Sequence, residues 1–170
     1  MSVGKPAAGF PALKAIRELP LQLEIEVPAD WEDRNGHVGV QHYQTLFAMG
    51  AWRVLEEVGV DEEWLGREQC SQFNLEHHLF YRSEIRVGDI VSTYNRVLGR
   101  SARRFHGIYL VINETRGCLA ATLEYITANI DMKSRRMAVF PDELADGLDF
   151  LVDKHRKLGW EPPVCGSMSP

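Results

Sequence analysis

The chain has 170 residues, 45% of them apolar and 25% charged, the mixture of an ordinary soluble domain long enough to bury one core. Its 19 Lys and Arg against 24 Asp and Glu give a net charge of -5, and the cations are dispersed, so a nucleic-acid backbone finds no wide basic face. Cys70, Cys118 and Cys165 are odd in number and form no C-x-x-C pair, which argues against a disulfide framework or a thiolate zinc centre and fits a reducing cytoplasm.

In chain order, Met1 to Leu13 carries Gly4, Pro6, Gly9 and Pro11 but no apolar stretch of signal-peptide or membrane-span length, so residues 1–20 are predicted as a flexible leader. Leu21, Leu23, Ile25 and Val27 alternate with polar residues as in a half-buried strand, which Pro28 closes. The polar stretch from Asp30 to His37 is predicted as a loop leading into a helix. From Val40 to Val58, apolar residues at Val40, Tyr43, Phe47, Ala51, Val54 and Val58 have helical spacing. Leu46 to Trp52 is apolar on every side, which predicts a helix surrounded by protein, with Gly50 admitting a neighbouring backbone and Gly59 as C-terminal cap.

Asp61 to Arg67 reads as one or two further helical turns, with Trp64 and Leu65 folding back. After Gln72 the period changes to strands: Phe73, Leu75, His77, Leu79 and Tyr81 share one parity, followed by a Gly88-Asp89 turn. Ile90–Leu98, Phe105–Ile112 and Leu119–Ile130 are the next three strands. Pro141 opens a terminal helix with Leu144, Leu148, Leu151 and Val152 on one face. Residues 161–170 are predicted as a flexible tail, which leaves 21–160 as a single domain. The layout is α+β without a βαβ rhythm: an antiparallel sheet wrapped around a central helix.

Three stretches in this order resemble the hot-dog thioesterases of the 4-hydroxybenzoyl-CoA thioesterase type. The first is Asp33-Arg34-Asn35-Gly36-His37-Val38 with Tyr43 and Phe47; the second is His77 to Tyr81 with Glu84, Arg86, Gly88 and Asp89; the third is Ala120 to Asp131 with Arg135, Arg136 and Pro141. Gly39 and Val40 stand where many relatives carry asparagines. The flanking Asp30-Trp31 and the Ser101 to His106 segment look more like thioesterases associated with carnitine breakdown, which act on a betainyl thioester. The resemblance implies the hot-dog fold, acyl-CoA as the substrate and partner, and a homodimer or homotetramer with its site at the subunit interface. It implies neither a membrane nor a nucleic-acid partner, and no cofactor.

The resemblance also implies that Asp33 is the nucleophile or the general base for water. On spacing alone, Asp33 or Asn35 could instead cap the helix, as Asp and Asn commonly do. A helix start offers unpaired N–H groups and a favourable dipole to a developing oxyanion, and the amides of Gly36, His37 and Val38 are the expected donors. Asn35, Trp31 and Tyr43 are candidate substrate contacts, with an aromatic face able to hold a quaternary ammonium. Phe47 and Trp52 read as core. Arg103 and Arg104, with Arg100, Arg135 and Arg136 as further candidates, are positioned to meet CoA phosphates, and are equally well explained as solvated charges.

His37, His42, His77 and His78 lack tight metal-ligand spacing, and no metal site is expected. Glu76 reads as a solvent-facing strand carboxylate. Two other functions compete with hydrolysis: a hydratase or dehydratase using His37, and a non-catalytic acyl-CoA-binding module.

Overall fold

A computed structural model describes residues 9–170. The elements are α1 (Leu13–Ile16), β1 (Leu21–Glu26), α2 (Val40–Gly50), α3 (Arg53–Glu56), α4 (Glu62–Glu68), β2 (Cys70–Tyr81), β3 (Ile90–Arg100), β4 (Arg104–Asn113), β5 (Cys118–Asp131), β6 (Arg136–Met137) and α5 (Asp142–Arg156). The strands form one antiparallel sheet in the order β1-β3-β4-β5-β2, with the short β6 on β5. This curled sheet, with α2 against it, is the hot-dog arrangement. No helix among the described residues is long and apolar enough to cross a membrane.

Strands β4 and β5 are buried almost end to end because both faces of the sheet are covered. Alternation sends Phe105, Tyr109, Leu123 and Tyr125 toward α2, where they cluster with Phe47 and with Leu144, Leu148, Leu151 and Val152 of α5. The opposite parity sends Ile108, Leu110 and Ile112 to the other face, against Ile16 and Leu19. Gly107 sits opposite Tyr125 in register. A Cβ there would lie 2.2 Å from the Tyr125 hydroxyl oxygen, so the glycine is what lets that ring lie over β4.

Several elements depart from the sequence reading. The leader is not free along its whole length: Phe10 and Leu13 pack on the outer face of the sheet, and Ile16 and Leu19 are buried there, because that face would otherwise expose Leu110 and Ile112. Residues 1–8 lie outside the described residues. The tail is docked too, with Pro163 and Met168 buried and the Cys165 amide donating to Glu124 at 2.6 Å.

The predicted single helix over Val40–Val58 is two helices, α2 ending at Gly50 and α3 starting at Arg53. Nor is α2 enclosed in one chain: Tyr43, Leu46, Phe47 and Gly50 are buried, whereas Val40 is 62% and Met49 50% exposed. An apolar run is therefore divided between a face on the sheet and a face left open. A Cβ on Gly50 would meet side chains, Thr93 Oγ1 at 3.1 Å and Gln22 and Tyr109 carbons at 3.5 Å, rather than a backbone. In β2 the expected alternation breaks at a register shift between Asn74 and Glu76, which leaves Phe73 and Leu75 exposed on the sheet edge. Other readings stand: Gly59 has φ +80, and Asp61 caps α4 by accepting from the Trp64 amide at 2.8 Å.

Candidate active site

The segment between β1 and α2 folds into a tight hairpin. Its arms meet at a bridge between Glu32 and Val38, and the Asp33 amide donates to the His37 carbonyl at 2.9 Å. Gly36 closes the turn by donating to the Asp33 carbonyl at 3.0 Å with φ +76, a conformation that glycine adopts without strain. Space around its missing Cβ is open. The glycine therefore serves the turn.

The Asp33 carboxylate is fixed within this hairpin. The Asn35 amide donates to Oδ1 at 2.7 Å and the Asn35 side chain to Oδ2 at 3.2 Å, while His37 Nδ1 lies 3.5 Å from Oδ1. The Asn35 amide, helped by the Asn35 side chain and by the imidazole and main chain of His37, holds the carboxyl below its ordinary value against a smaller opposing effect of burial. Asp33 is thus a half-buried, ionised acceptor at neutral pH. It does not cap α2, whose N-cap is Gly39 with no side-chain bond.

The expected oxyanion donors need correction. The Gly36 amide is spent on the turn, the Val38 amide donates to the Ile85 carbonyl at 2.8 Å, and the His37 amide faces the Asp33 carboxylate. Among the described residues the amides of Val40 and Gln41 have no such partner: α2 begins at Val40, Gly39 donates to the Trp31 carbonyl at 2.9 Å, and His42 donates to the Gly39 carbonyl. First-turn helical N–H groups are unpaired by construction. The free donors thus sit two residues further along than the sequence suggests, and the signal was present in the onset of the apolar helical period at Val40.

Trp31 is not an open substrate contact. It is 8% exposed, stacks on His42 at 4.7 Å between ring centroids, and packs with Val27, Val38, Leu46 and Ile85. Tyr43 lines a cleft of about 300 Å³ with His37, Val38, Val40, Tyr81, Arg82 and others, and meets Tyr81 edge-on at 4.9 Å. Burial pushes its phenol up to about 12, so it stays neutral.

Arg103 and Arg104 lie at the other end of the sheet. Arg104 pairs with Ala128 on β5, whereas the Arg82 amide beside the cleft bonds the Ala120 carbonyl. Eight strand residues put about 25 Å between these points. Arg82 is the cation that lines the cleft, missed in the sequence because an arginine at a strand end carries no distinguishing pattern. Arg100 is also accounted for, bound to Asp149 by two contacts of 2.7 and 2.5 Å.

A second cavity, of about 350 Å³, continues along the same seam between α2 and β2. Phe47, Ala51, Trp52, His77 and Tyr109 are among its walls. Phe47 touches His77 edge-on at 4.9 Å, one helical turn beyond the Tyr43–Tyr81 contact. Phe47, expected as core, is buried and also cavity wall, whereas Trp52, likewise expected as core, is 41% exposed and lines the cavity instead. His78 points to the other face of the sheet, where its ring, Glu124 and Cys165 place ligand-type atoms within 4.8 Å of one another. Both Glu124 oxygens there are engaged, one by His106 at 2.8 Å and the other by the Cys165 amide.

A family model for the thioesterase-like superfamily matches residues 27–148, from just after β1 into α5. The chain belongs to the thioesterase-like superfamily. It is 26% identical over 135 residues to the betainyl-CoA thioesterase of Pseudomonas aeruginosa, covering 79% of this chain and 85% of that protein. It is also 26% identical over 151 residues to the L-carnitine dehydrogenase/betainyl-CoA thioesterase of Rhizobium meliloti, covering 88% of this chain but only 30% of that one. The chain therefore spans under a third of the two-function relative and most of the single-function one. Among solved structures it resembles a Staphylococcus aureus protein in complex with CoA, with a TM-score of 0.77, 21% identity, and 89% and 96% of the two chains covered. At that identity the likeness establishes the hot-dog fold of this superfamily member.

Proposed function

We propose that this superfamily member hydrolyses an acyl-CoA thioester to the free acid and CoA. The observation that carries the proposal is an ionised carboxylate, Asp33, fixed in the hairpin that leads directly into the unpartnered first-turn amides of α2. The thioester carbonyl oxygen accepts from the amides of Val40 and Gln41, where the helix dipole favours the negative charge of the tetrahedral intermediate. Asp33 removes a proton from water, and the hydroxide adds to the carbonyl carbon. The C–S bond then breaks with its electron pair on sulfur, and the proton held by Asp33 is available to the departing thiolate. Direct attack by Asp33 uses the same geometry and passes through an acyl-carboxylate anhydride that water opens. His37, 3.5 Å from Asp33, orients the carboxylate.

The CoA moiety meets Arg82 at the cleft. Arg103 and Arg104, being far from the Asp33 of their own chain, serve the site of a second copy. A homodimer with sites at its interface is supported by the edge of β2, unpaired among the described residues, with Phe73 and Leu75 exposed, and by the exposed apolar side chains of Val40 and Met49 on α2. The relatives named for betainyl-CoA put that thioester in the first assay panel, and the reducing cytoplasm inferred from the cysteines remains the proposed location.

The test is thiol release from a panel of acyl-CoA thioesters by the wild type and Asp33→Asn. Turnover in the wild type that falls by at least about a hundredfold in Asp33→Asn supports the assignment. Equal turnover removes Asp33 from the mechanism. Tight acyl-CoA binding without release of thiol would instead favour a binding module, and hydration of an enoyl-CoA a hydratase.

A further inference from the structure

The cavity between α2 and β2 has walls that a plain hydrocarbon would not satisfy. The Tyr109 hydroxyl, His77 Nε2 and Gln72 Oε1 are buried with no hydrogen-bond partner among the described residues, and all three residues line it. The cause is visible in each case. Tyr109, from the middle of β4, lies beside Asn95, but Tyr125 donates to the Asn95 oxygen at 3.0 Å. Gln72 uses its amide nitrogen on Asn129 at 3.0 Å and leaves its oxygen over. His77 is turned inward from the edge strand against Phe47, and burial keeps its imidazole neutral. Phe47 touches Tyr109 as well as His77, each at 4.9 Å, so the two polar groups flank one ring.

Leaving a buried polar group unpaired costs about 1–3 kcal/mol, and three on one cavity point to something that pairs with them. We infer that this cavity receives the acyl group and selects one bearing an uncharged hydrogen-bonding substituent, a hydroxyl or a carbonyl, through Tyr109, His77 and Gln72. The inference rests on the acyl-CoA reading above and goes further by specifying the class of acyl group. A hydroxyl suits best, because it accepts from Tyr109 while donating to the Gln72 oxygen or to an imidazole nitrogen. A quaternary ammonium would find aromatic faces here. It would find no carboxylate on the cavity wall, and it would leave all three polar atoms unpaired. The cavity lies within reach of the reacting end: from Val40 to Phe47 the axis of α2 advances about 10 Å, so a substituent several bonds from the thioester arrives beside Tyr109.

The test uses matched pairs of thioesters of nearly equal size. These are para-hydroxyphenylacetyl-CoA against para-methylphenylacetyl-CoA, and omega-hydroxyhexanoyl-CoA against heptanoyl-CoA, with betainyl-CoA as a further comparison. A site built to bond a hydroxyl rejects the analogue lacking it, so the expected preference in kcat/KM for one or both hydroxylated members is at least about tenfold. In Tyr109→Phe that ratio falls to within about twofold of one, while the thermal midpoint changes little, since the deleted hydroxyl has at most a weak contact with Asn95 in the free protein. His77→Leu shifts the ratio in the same direction.

Titration calorimetry of the same pairs on Asp33→Asn reads the preference without turnover. Absence of thiol release from every thioester would overturn the hydrolytic reading and leave these affinities as the measure of the pocket. Equal handling of both members of each pair, or a ratio untouched by both substitutions, would overturn the inference. A cavity that holds only ordered water gives that second outcome.

Discussion

His155 supplies a quantitative check on the packing of α5 against β3. It is 2% exposed, and its Nδ1 accepts from the Val97 amide at 2.9 Å, where β3 slips register between Val97 and Gly99. Burial, with Lys154 and Arg96 acting in the same direction and Glu57 against them, brings its pKa from 6.5 down to about 4. The ring must be neutral at Nδ1 to accept that bond. Because the folded value lies below the unfolded one, the unfolded chain binds more protons between pH 4 and 6.5, and stability rises with pH through that window. At about 1.4 kcal/mol per unit, His155 alone removes about 2 kcal/mol as pH falls from 7 to 5. Urea denaturation at both pH values should therefore show the wild type losing about 2 kcal/mol more than His155→Gln, whose amide oxygen still accepts from Val97 but does not titrate. Parallel losses, within about 0.5 kcal/mol, would refute the assignment of a neutral, buried His155 as the partner of Val97.

Three further outcomes follow from the geometry. Gly107→Ala forces a methyl against the Tyr125 ring, which is buried and bonded to Asn95, and should cost about 3 kcal/mol in denaturant unfolding. Gly36→Ala places an alanine at φ +76 in the hairpin that carries Asp33. About 1–2 kcal/mol of strain should appear as a lower thermal midpoint, with a drop in kcat on any thioester that is turned over. Ending the chain at Trp160 uncovers Glu124 and removes the burial of Met168, for an expected loss of about 3 kcal/mol. Burial alone would raise the Glu124 carboxyl, but the bonds from His106 and the Cys165 amide outweigh it and hold the value low. The associated stability is present above the unfolded value and is lost as pH falls through the folded one, so the truncated chain should show a smaller decline in acid.

The strands from Ile90 onward were legible because period-two alternation and turn residues agree, and β3, β4 and β5 run slightly longer than predicted. The extra residues pair in the ladder and have no sequence cue of their own. The Asp33 hairpin was legible from its polar composition and Gly36. The hydrogen-bond roles of its amides were not, because the Val38 amide is taken by the Ile85 carbonyl, which meets the loop only in the folded chain. Trp31 looked available because loop residues usually are. Its burial follows from stacking on His42, a contact that spacing alone does not announce. The cavity polar groups Tyr109 and His77 were hidden inside ordinary strand alternation. An inward-facing tyrosine reads as core until its hydroxyl is found without a partner.

The sheet order has a consequence for how the chain assembles. Strands β3, β4 and β5 follow one another through residues 101–103 and 114–117, so their ladders close by short loops and can zip early. Strand β1 must come from the far side of the helical segment to pair with β3, and β2 must bypass both hairpins to reach β5. Late attachment of these two rims gives a nascent molecule a protected meander with both borders unsealed. Pulse-labelled amide exchange during refolding should register protection at Ile108 and Leu123 before Leu23 and Leu79.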